Sequence, residues 1–166
     1  MISVAVITLS DKGSRGERED LGGPMIREMV GKIGAEAAYY EIIPDEVELI
    51  KEKLIEYSKK VDLILTTGGT GLSPRDVAPE ATRDVIDREI PGIAEAMRAE
   101  GMKKTKRAML SRAVAGVRGR TLIINLPGSP RAVKEGLETV LDVLGHAIEK
   151  IKGCTSDCAA AEGDGR

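Results

Sequence analysis

Four polar loops contain the residues of this sequence that could do chemistry. They lie at residues 10–24, 44–46, 68–82 and 126–130. The loops are rich in glycine and other small residues, which allow a ligand to approach the backbone closely. They are also rich in carboxylates, which can hold a hard cation together with phosphate groups. This combination favours a ligand that contains phosphate.

The glycine-rich loop at residues 68–71 has the sequence Gly-Gly-Thr-Gly and follows directly on an apolar run. Without Cβ atoms, its backbone N–H groups can form a concave site for an anion. No Lys-Ser/Thr pair follows at the P-loop spacing, and G-x-G-x-x-G does not occur. A tight turn without a ligand is the alternative interpretation. Arg75 and Asp76, which come soon after, favour a phosphate site.

The loop at residues 126–130, with the sequence Leu-Pro-Gly-Ser-Pro, predicts the start of a helix. Ser129 is suited to cap that helix, and Pro130 is suited to its first position. The N–H groups and the partial positive charge at a helix N-terminus attract phosphate. Capping without a ligand is the alternative, and it is the commoner case for a single helix.

Five carboxylates lie in loops that we expect at one edge of the fold: Asp11, Asp20, Asp45, Asp76 and Glu80. One or two of them could hold Mg²⁺ together with the phosphates of a substrate. Helix capping is the alternative role, and it fits Asp45 best, because this residue precedes a predicted helix.

Catalysis by an activated serine or cysteine is not supported. The single histidine, His146, lies in a predicted helix, where a packing or surface role is the simpler interpretation. Cys154 and Cys158 are too few for a zinc site and cannot form a disulfide framework. No catalytic triad can be argued, and no HExxH motif occurs. Phosphoryl or nucleotidyl transfer fits the loops, because positioning and charge neutralisation supply most of that catalysis.

The elements that must position these loops alternate between strands and helices. Apolar runs predict strands at residues 3–9, 36–43, 63–67, 113–117 and 121–126. Helical spacing and its boundary residues predict helices at 24–33, 46–60, from about 79, after 91, 130–141, and one ending near 152. This order predicts an α/β fold with a mainly parallel sheet and one antiparallel strand pair. Ligands bind such sheets at the carboxyl ends of the strands, where all four loops are expected.

Length and composition indicate one ordinary globular domain. The chain has 166 residues, of which 42% are hydrophobic and 31% charged, with a formal net charge of -2. This charge and an aromatic content of 2% argue against nucleic-acid binding. No apolar run is long enough for a membrane span and no signal peptide is recognisable, so we expect a cytoplasmic protein. Residues 1–152 should form the domain, and residues 153–166 a disordered tail.

Several motifs in series resemble the molybdenum-cofactor biosynthesis family, which includes the G domain of gephyrin. In chain order they are ITLSDKGSRGEREDLGGP, IIPDE, TTGGTG, SPRDVAPEAT, the segment from DREIPG to AMLSR, and INLPGSP. The resemblance runs from Val4 to about Ile151 without large gaps. It implies a three-layer α/β sandwich that assembles as a homotrimer.

The resemblance also implies an activity, the adenylylation of molybdopterin. In this reaction Mg²⁺-bound ATP transfers AMP to molybdopterin and releases pyrophosphate, and the product can pass to a molybdenum-insertion protein. A phosphate monoester is already a dianion at neutral pH, so it can attack ATP without a general base. A non-catalytic protein that binds molybdopterin or serves as a scaffold is the alternative. A nucleotide-binding protein without a pterin is a third interpretation.

The same resemblance implies roles for individual residues. Asp45 in IIPDE and Asp76 in SPRD are the implied catalytic residues and metal ligands. The implied nucleotide-binding residues are Ser10, Asp11, Asp20, Gly22, Gly68, Gly69, Thr70 and Gly71. The implied molybdopterin-binding residues are Ser73, Arg75, Glu80, Gly128, Ser129 and Pro130. ATP would therefore lie along the glycine-rich loop, and the terminal phosphate of the pterin would reach the LPGSP turn.

Overall fold

The computed structural model describes residues 1–153, which form a six-stranded sheet covered by helices. The strands are β1 Ser3–Leu9, β2 Glu36–Ile43, β3 Leu63–Thr67, β4 Arg88–Glu89, β5 Ala115–Arg118 and β6 Thr121–Leu126. The helices are α1 Asp11–Ser14, α2 Gly22–Lys32, α3 Val47–Tyr57, α4 Ala78–Val85, α5 Pro91–Met102 and α6 Pro130–Ile151, with a 3₁₀ helix at Lys106–Leu110. The predicted tail beyond Gly153, with its two cysteines, lies outside the described residues.

The sheet has the strand order β2-β1-β3-β6-β5-β4. β1 pairs in parallel with β2 on one side and with β3 on the other, and β3 pairs in parallel with β6. β2 therefore lies on one side of β1, and the next strand, β3, lies on the other side, so the order of the strands reverses at β1. Such a reversal is the switch point of an open α/β sheet, where ligands bind beyond the carboxyl ends of the strands.

The predicted mainly parallel sheet with an antiparallel strand pair is confirmed. β5 and β6 form that pair, and Arg118 faces Thr121 across the connecting turn. Gly119 in this turn has a φ of +56°, which favours glycine. The two-residue β4 is not among the predicted strands, and it pairs antiparallel with β5 at the edge of the sheet.

Helices cover both faces of the sheet, so the three-layer arrangement is confirmed. The core under α2, α5 and α6 contains Val6 and Leu65, and the core under α3 and α4 contains Ile7 and Ile64. Neighbouring residues of a strand point to opposite faces, and all four of these side chains are completely buried. This is why the central strands are apolar at nearly every position.

Several helix predictions differ from the structure. α3 ends at Tyr57, three residues before the predicted end, and α1 and the 3₁₀ helix are not among the predicted elements. Two helices are predicted after Pro130, and this is wrong, because α6 continues without a break to Ile151. Val140, Leu144 and Ile148 extend its buried stripe past residue 141, so packing on the sheet favours one long helix. α2 begins two residues earlier than predicted. No helix within residues 1–153 combines the length and apolar character needed to cross a membrane.

Candidate active site

A cavity of about 650 Å³ lies beyond the carboxyl ends of β1, β3 and β6 and is here named the first cavity. The predicted site residues that line it are Ser10, Asp11, Asp20, Gly22, Asp45, Gly68, Gly69, Asp76, Gly128, Ser129 and Pro130. They come from all four polar loops of the sequence. The switch point between β1 and β3 brings these loops together, as the sequence analysis predicts.

The turn after β3 presents backbone to the first cavity. Gly68 and Gly69 have φ values of +92° and +67°, which favour glycine. A Cβ atom on Gly68 would clash with the carbonyl oxygen of Leu9. A Cβ atom on Gly128 would lie 3.3 Å from the Cα of Gly68. The N–H of Gly68 donates to the carbonyl of Leu126 at 3.2 Å. These close approaches explain why the turn and the LPGSP loop both carry glycine.

The hydroxyl of Thr67 donates to the carbonyl of Pro127 at 2.7 Å, which joins the glycine-rich turn to the LPGSP turn. Within residues 1–153, the N–H groups of Gly69 and Thr70 donate to no backbone or side-chain acceptor. Ser129 caps α6 as predicted, because its Oγ accepts a hydrogen bond from the N–H of Ala132 at 3.3 Å. The arrangement can therefore offer backbone donors and a helix N-terminus to a phosphate group.

Asp45 is held by the loop that follows β1. Its carboxylate accepts a hydrogen bond from the N–H of Asp11 at 3.1 Å. Its suggested role as the cap of α3 is wrong, because α3 begins at Val47 without a side-chain cap. Burial raises the pKa of the Asp45 carboxyl, and the nearby charges of Asp11 and Asp76 raise it further. Oδ1 of Asp45 lies 3.1 Å from where a Cβ of Gly69 would be, so this oxygen faces the glycine-rich turn.

Arg75 forms ion pairs at the rim of the first cavity. Its guanidinium donates to both carboxylate oxygens of Asp11, at 2.9 and 3.0 Å, and to the carboxylate of Glu46 at 2.9 Å. The bonds from Arg75 hold the pKa of the Asp11 carboxyl below its ordinary value. Arg75 therefore holds the carboxylate of Asp11 in place, and Arg75 itself does not line the first cavity.

Asp76 is oriented by its own loop. Its Oδ2 accepts a hydrogen bond from the N–H of Ser73 at 2.9 Å. The same oxygen lies 2.7 Å from where a Cβ of Gly71 would be, so glycine leaves room for the carboxylate. Ser73 is exposed, does not line the first cavity, and contributes to the site through this bond.

Asp20 has its acceptor positions occupied. The hydroxyl groups of Thr8 and Tyr40 each donate to its carboxylate at 2.6 Å, and the N–H groups of Gly22 and Gly23 donate at 3.0 and 3.1 Å. Burial opposes ionisation, but these bonds outweigh it, and the pKa of Asp20 lies below its ordinary value. Burial and the bond to Asp20 raise the pKa of Tyr40 to about 12. Asp20 therefore anchors the first turn of α2 beside the first cavity, which explains the early start of this helix.

Asp45 and Asp76 both line the first cavity, and carboxylates are ligands of the kind that Mg²⁺ prefers. Within the described part of the chain, no group of three or more His, Cys, Asp or Glu side chains could hold a metal by itself. Mg²⁺ in such sites commonly takes one or two carboxylates and completes its shell with water and substrate phosphates. Oδ1 of Asp45 faces the glycine-rich turn, so this pair fits a cation that arrives with a phosphate-bearing substrate.

A second cavity, also about 650 Å³, lies between α5, the 3₁₀ helix and the start of α6. Thr70 and Gly71 line it, and Ser129 lines both cavities. The glycine-rich turn and Ser129 thus separate the two spaces. The lining of the second cavity includes the apolar residues Leu72, Ala94, Met97 and Leu110 and the basic residues Arg98, Arg107 and Arg131. Glu135 also lines it and forms an ion pair with Arg131 at 2.9 Å.

Glu80 lies outside both cavities. Its carboxylate pairs with Arg112, which lowers the pKa of the Glu80 carboxyl. Arg112 is not recognisable as a site residue from local sequence, because its contacts to the loop before α4 span 41 residues of chain for Gly71 and 36 for Asp76.

Lys12 and Arg18 are two exposed basic residues of the first cavity that are not among the predicted site residues. Lys12 lies in α1 and Arg18 in the segment between α1 and α2, and both follow the buried strand β1. Basic residues in a glycine-bearing segment that follows a buried strand are the sequence pattern that could have identified them. Both residues place positive charge where a polyphosphate would be bound.

Comparison with known proteins identifies the family. Residues 5–146 match the sequence model of the probable molybdopterin binding domain. The molybdopterin adenylyltransferase of Helicobacter pylori is 41% identical over 156 residues, which cover 92% of this chain and 89% of that protein. The solved structure of the molybdopterin biosynthesis enzyme MoaB of Thermus thermophilus has a TM-score of 0.87 and 55% sequence identity, covering 92% of this chain and 98% of that one.

Longer proteins contain a similar domain. The molybdenum cofactor synthesis protein cinnamon of Drosophila melanogaster is 41% identical over 153 residues, and the chain spans 26% of its length. The family match covers most of the present chain, and the Helicobacter pylori relative is matched over nearly its whole length. The chain therefore belongs to the molybdenum-cofactor biosynthesis family of molybdopterin-binding domains.

Proposed function

We propose that this chain is an adenylyltransferase that transfers AMP from Mg²⁺-bound ATP to the terminal phosphate of molybdopterin and releases pyrophosphate. The observation that carries the proposal is the position of Asp45 and Asp76 beside the glycine-rich turn that divides two cavities. Relatives of similar length that are named molybdopterin adenylyltransferase support it. Two adjoining spaces with carboxylates at their boundary suit a reaction that joins two phosphate-bearing substrates.

The first cavity is the proposed site of ATP. Lys12 and Arg18 supply positive charge, and the turn at Gly68 and Gly69 allows close approach of phosphate oxygens to the backbone. The partial positive charge at the start of α6 adds to this attraction. Asp20 contributes by shaping the wall, because its acceptor positions are occupied.

The second cavity is the proposed site of molybdopterin. Apolar side chains such as Met97 and Leu110 suit the faces of a flat heterocycle, and Arg107 and Arg131 suit its anionic groups. The terminal phosphate of the pterin would then reach Ser129 and the LPGSP turn, which border both cavities. Arg75 and Glu80 support neighbouring loops in this proposal and do not bind the pterin.

The proposed chemistry needs no general base. The terminal phosphate of molybdopterin is mostly a dianion at neutral pH and can act as the nucleophile itself. One of its oxygens forms a bond to the α-phosphorus of ATP, while the bond from that phosphorus to the oxygen bridging to the β-phosphate breaks. Pyrophosphate leaves with this oxygen. The chain has to bring two anions together, and backbone N–H groups and basic side chains offset their repulsion.

Asp45 and Asp76 would hold Mg²⁺ in this site. When bound, the ion neutralises charge on the phosphate groups and helps to orient them. The reciprocal hydrogen bonds of Asp45 and the bond from Ser73 to Asp76 orient the two carboxylates before any substrate arrives. This orientation is the contribution of the protein.

We propose a homotrimer in the cytoplasm that binds ATP and molybdopterin, has no nucleic-acid or membrane partner, and passes its product to a molybdenum-insertion protein. The formal net charge of -2 supports the absence of a nucleic-acid partner.

Pyrophosphate release tests the proposed function. The purified chain is incubated with ATP, Mg²⁺ and molybdopterin, and release is expected only when all three are present. Binding of molybdopterin without pyrophosphate release would support the non-catalytic alternative. Binding of ATP without any bound pterin, measured by pterin fluorescence after oxidation, would support a nucleotide-binding protein of another kind.

A further inference from the structure

We infer that Arg112 is a positioning residue, which holds the loop between β3 and α4 in the shape that the reaction requires. The inference rests on the proposed function, because Asp76 and the glycine-rich turn lie in this loop. Arg112 belongs to the segment between the 3₁₀ helix and β5, far from the loop in sequence.

Arg112 contacts the loop at Thr70, Gly71 and Asp76. Its backbone N–H donates to the carbonyl of Thr70 at 2.9 Å, and its Nε donates to the carbonyl of Gly71 at 2.9 Å. Its Nη2 donates to the carbonyl of Asp76 at 2.7 Å. The remaining terminal nitrogen, Nη1, pairs with the carboxylate of Glu80 on α4. One residue thus engages three carbonyl groups of the loop and the helix that follows it.

These contacts fix the two parts of the loop that the proposed reaction uses. Thr70 and Gly71 lie in the glycine-rich turn, and Gly71 leaves the room that the carboxylate of Asp76 occupies. A shift of the carbonyl of Gly71 or Asp76 would therefore move this carboxylate relative to Asp45. Displacements of about 1 Å in a catalytic group can reduce a rate by about 100-fold.

Arg112 acts through the loop. Within residues 1–153 it lines neither the first nor the second cavity, whereas its neighbours Ser111 and Ala113 line the second. The guanidinium is planar and presents its N–H groups in fixed directions, which suits acceptors on three sides. Lysine has a single charged nitrogen and cannot reproduce this arrangement.

The experiment compares four variants: Arg112→Ala, Arg112→Lys, Glu80→Gln and Arg118→Ala. Arg118 is the matched control, because it is also half-buried and donates to a carbonyl of α4, that of Val85, at 2.6 Å. Its contact lies at the opposite end of α4 from the loop. Each variant is assayed for pyrophosphate release with separate kcat and KM values, for ATP binding by calorimetry in the presence of Mg²⁺, and for thermal stability.

Arg112→Ala and Arg112→Lys are expected to lower kcat/KM by about 10- to 100-fold and to weaken ATP binding in Mg²⁺. A low, non-denaturing concentration of guanidinium should restore part of the lost activity of Arg112→Ala. The control Arg118→Ala should retain its activity, and guanidinium should not increase it. Glu80→Gln should retain most activity, since the three carbonyl contacts of Arg112 remain. The wild-type protein must release pyrophosphate, and its failure to do so would overturn the proposed function itself.

Wild-type kinetics and ATP affinity in both Arg112 variants, with only a lower melting temperature, would mean a purely structural role and would overturn the inference. If Arg112→Ala does not fold, Arg112→Lys decides. Unchanged kinetics of the lysine variant would then overturn the inference, and a selective loss of ATP binding with a folded structure would support it.

Discussion

Asp11 and Asp45 are joined by a reciprocal pair of hydrogen bonds. The N–H of Asp11 donates to Oδ2 of Asp45 at 3.1 Å, and the N–H of Asp45 donates to Oδ1 of Asp11 at 3.0 Å. The two residues follow β1 and β2, which are adjacent in the sheet. Arg75 offsets the negative charge of Asp11, so the carboxylate of Asp11 can remain close to the carboxylate of Asp45. This contact orients a proposed metal ligand through the backbone of a neighbouring loop.

Replacement of Asp11 tests this contact. Asp11→Ala removes the acceptor for the N–H of Asp45, whereas Asp11→Asn keeps an oxygen in that position. We expect Asp11→Ala to lower kcat/KM for pyrophosphate release by about tenfold more than Asp11→Asn, which corresponds to about 1.4 kcal/mol. Equal losses in the two variants would show that the charge of Asp11, and not its bond to Asp45, matters.

Asp76→Asn is expected to retain the fold and nearly abolish adenylylation. The amide is a weaker ligand for Mg²⁺, so turnover should fall by about 100-fold or more while molybdopterin binding changes little. Steady-state pyrophosphate release and a pterin-binding titration measure the two effects. Asp84→Asn is the control, because Asp84 lies on the following helix in an exposed ion pair with Lys51. Near-normal turnover of Asp76→Asn would exclude the proposed role.

Gly69→Val is expected to weaken ATP binding by about tenfold or more. Its φ of +67° disfavours a β-branched residue, and the new Cβ would lie 3.1 Å from Oδ1 of Asp45. Gly119→Val is the matched control, since Gly119 has a φ of +56° and no atom within 4 Å of a Cβ position. Calorimetry should show weaker ATP binding only in the Gly69 variant. Unchanged affinity in a folded Gly69→Val protein would exclude the anion site at this turn.

The pH dependence of stability should change in Asp20→Asn. The pKa of Asp20 is lowered in the folded state, so its contribution to stability is present above the unfolded pKa of about 4 and is lost as the pH falls through the folded value. We expect the variant to lose about 1–3 kcal/mol of unfolding free energy at pH 7 and less near pH 2. Urea unfolding at both pH values measures this. Glu48→Gln is the control, because Glu48 forms an exposed ion pair, and its replacement should change the free energy of unfolding little at either pH. An equal loss at both pH values would contradict the assignment.

Truncation after Lys152 is expected to leave the proposed trimer and the activity intact. Lys152 pairs with Asp62 at 2.6 Å, and its carbonyl accepts from Arg120 at 2.8 Å, so the end of α6 remains anchored. The removed residues are mostly small and polar, and they cannot bury much apolar surface against their ordering entropy. Light scattering and the pyrophosphate assay provide the measurements. A monomeric or inactive truncation, or stoichiometric zinc in the full-length protein, would contradict this expectation.

The sequence by itself determined the buried strands of the sheet and the loops that form the candidate site. Strands that are buried on both faces are apolar at nearly every position, so β1, β3 and β6 could be recognised from local pattern. Loops at the carboxyl ends of parallel strands meet at one edge, so the polar loops could be assigned to one site. The cap at Ser129 was also predictable, because capping depends on residues within one helical turn.

Tertiary structure alone decided which partner each polar side chain takes. Asp45 bonds to Asp11 instead of capping α3, Arg75 clamps Asp11, and Glu80 pairs with Arg112. These partners lie tens of residues apart, and their distances depend on strand order and helix packing, which leave no local pattern in the sequence. The continuous α6 has the same explanation, because contacts with the sheet decide whether a helix continues.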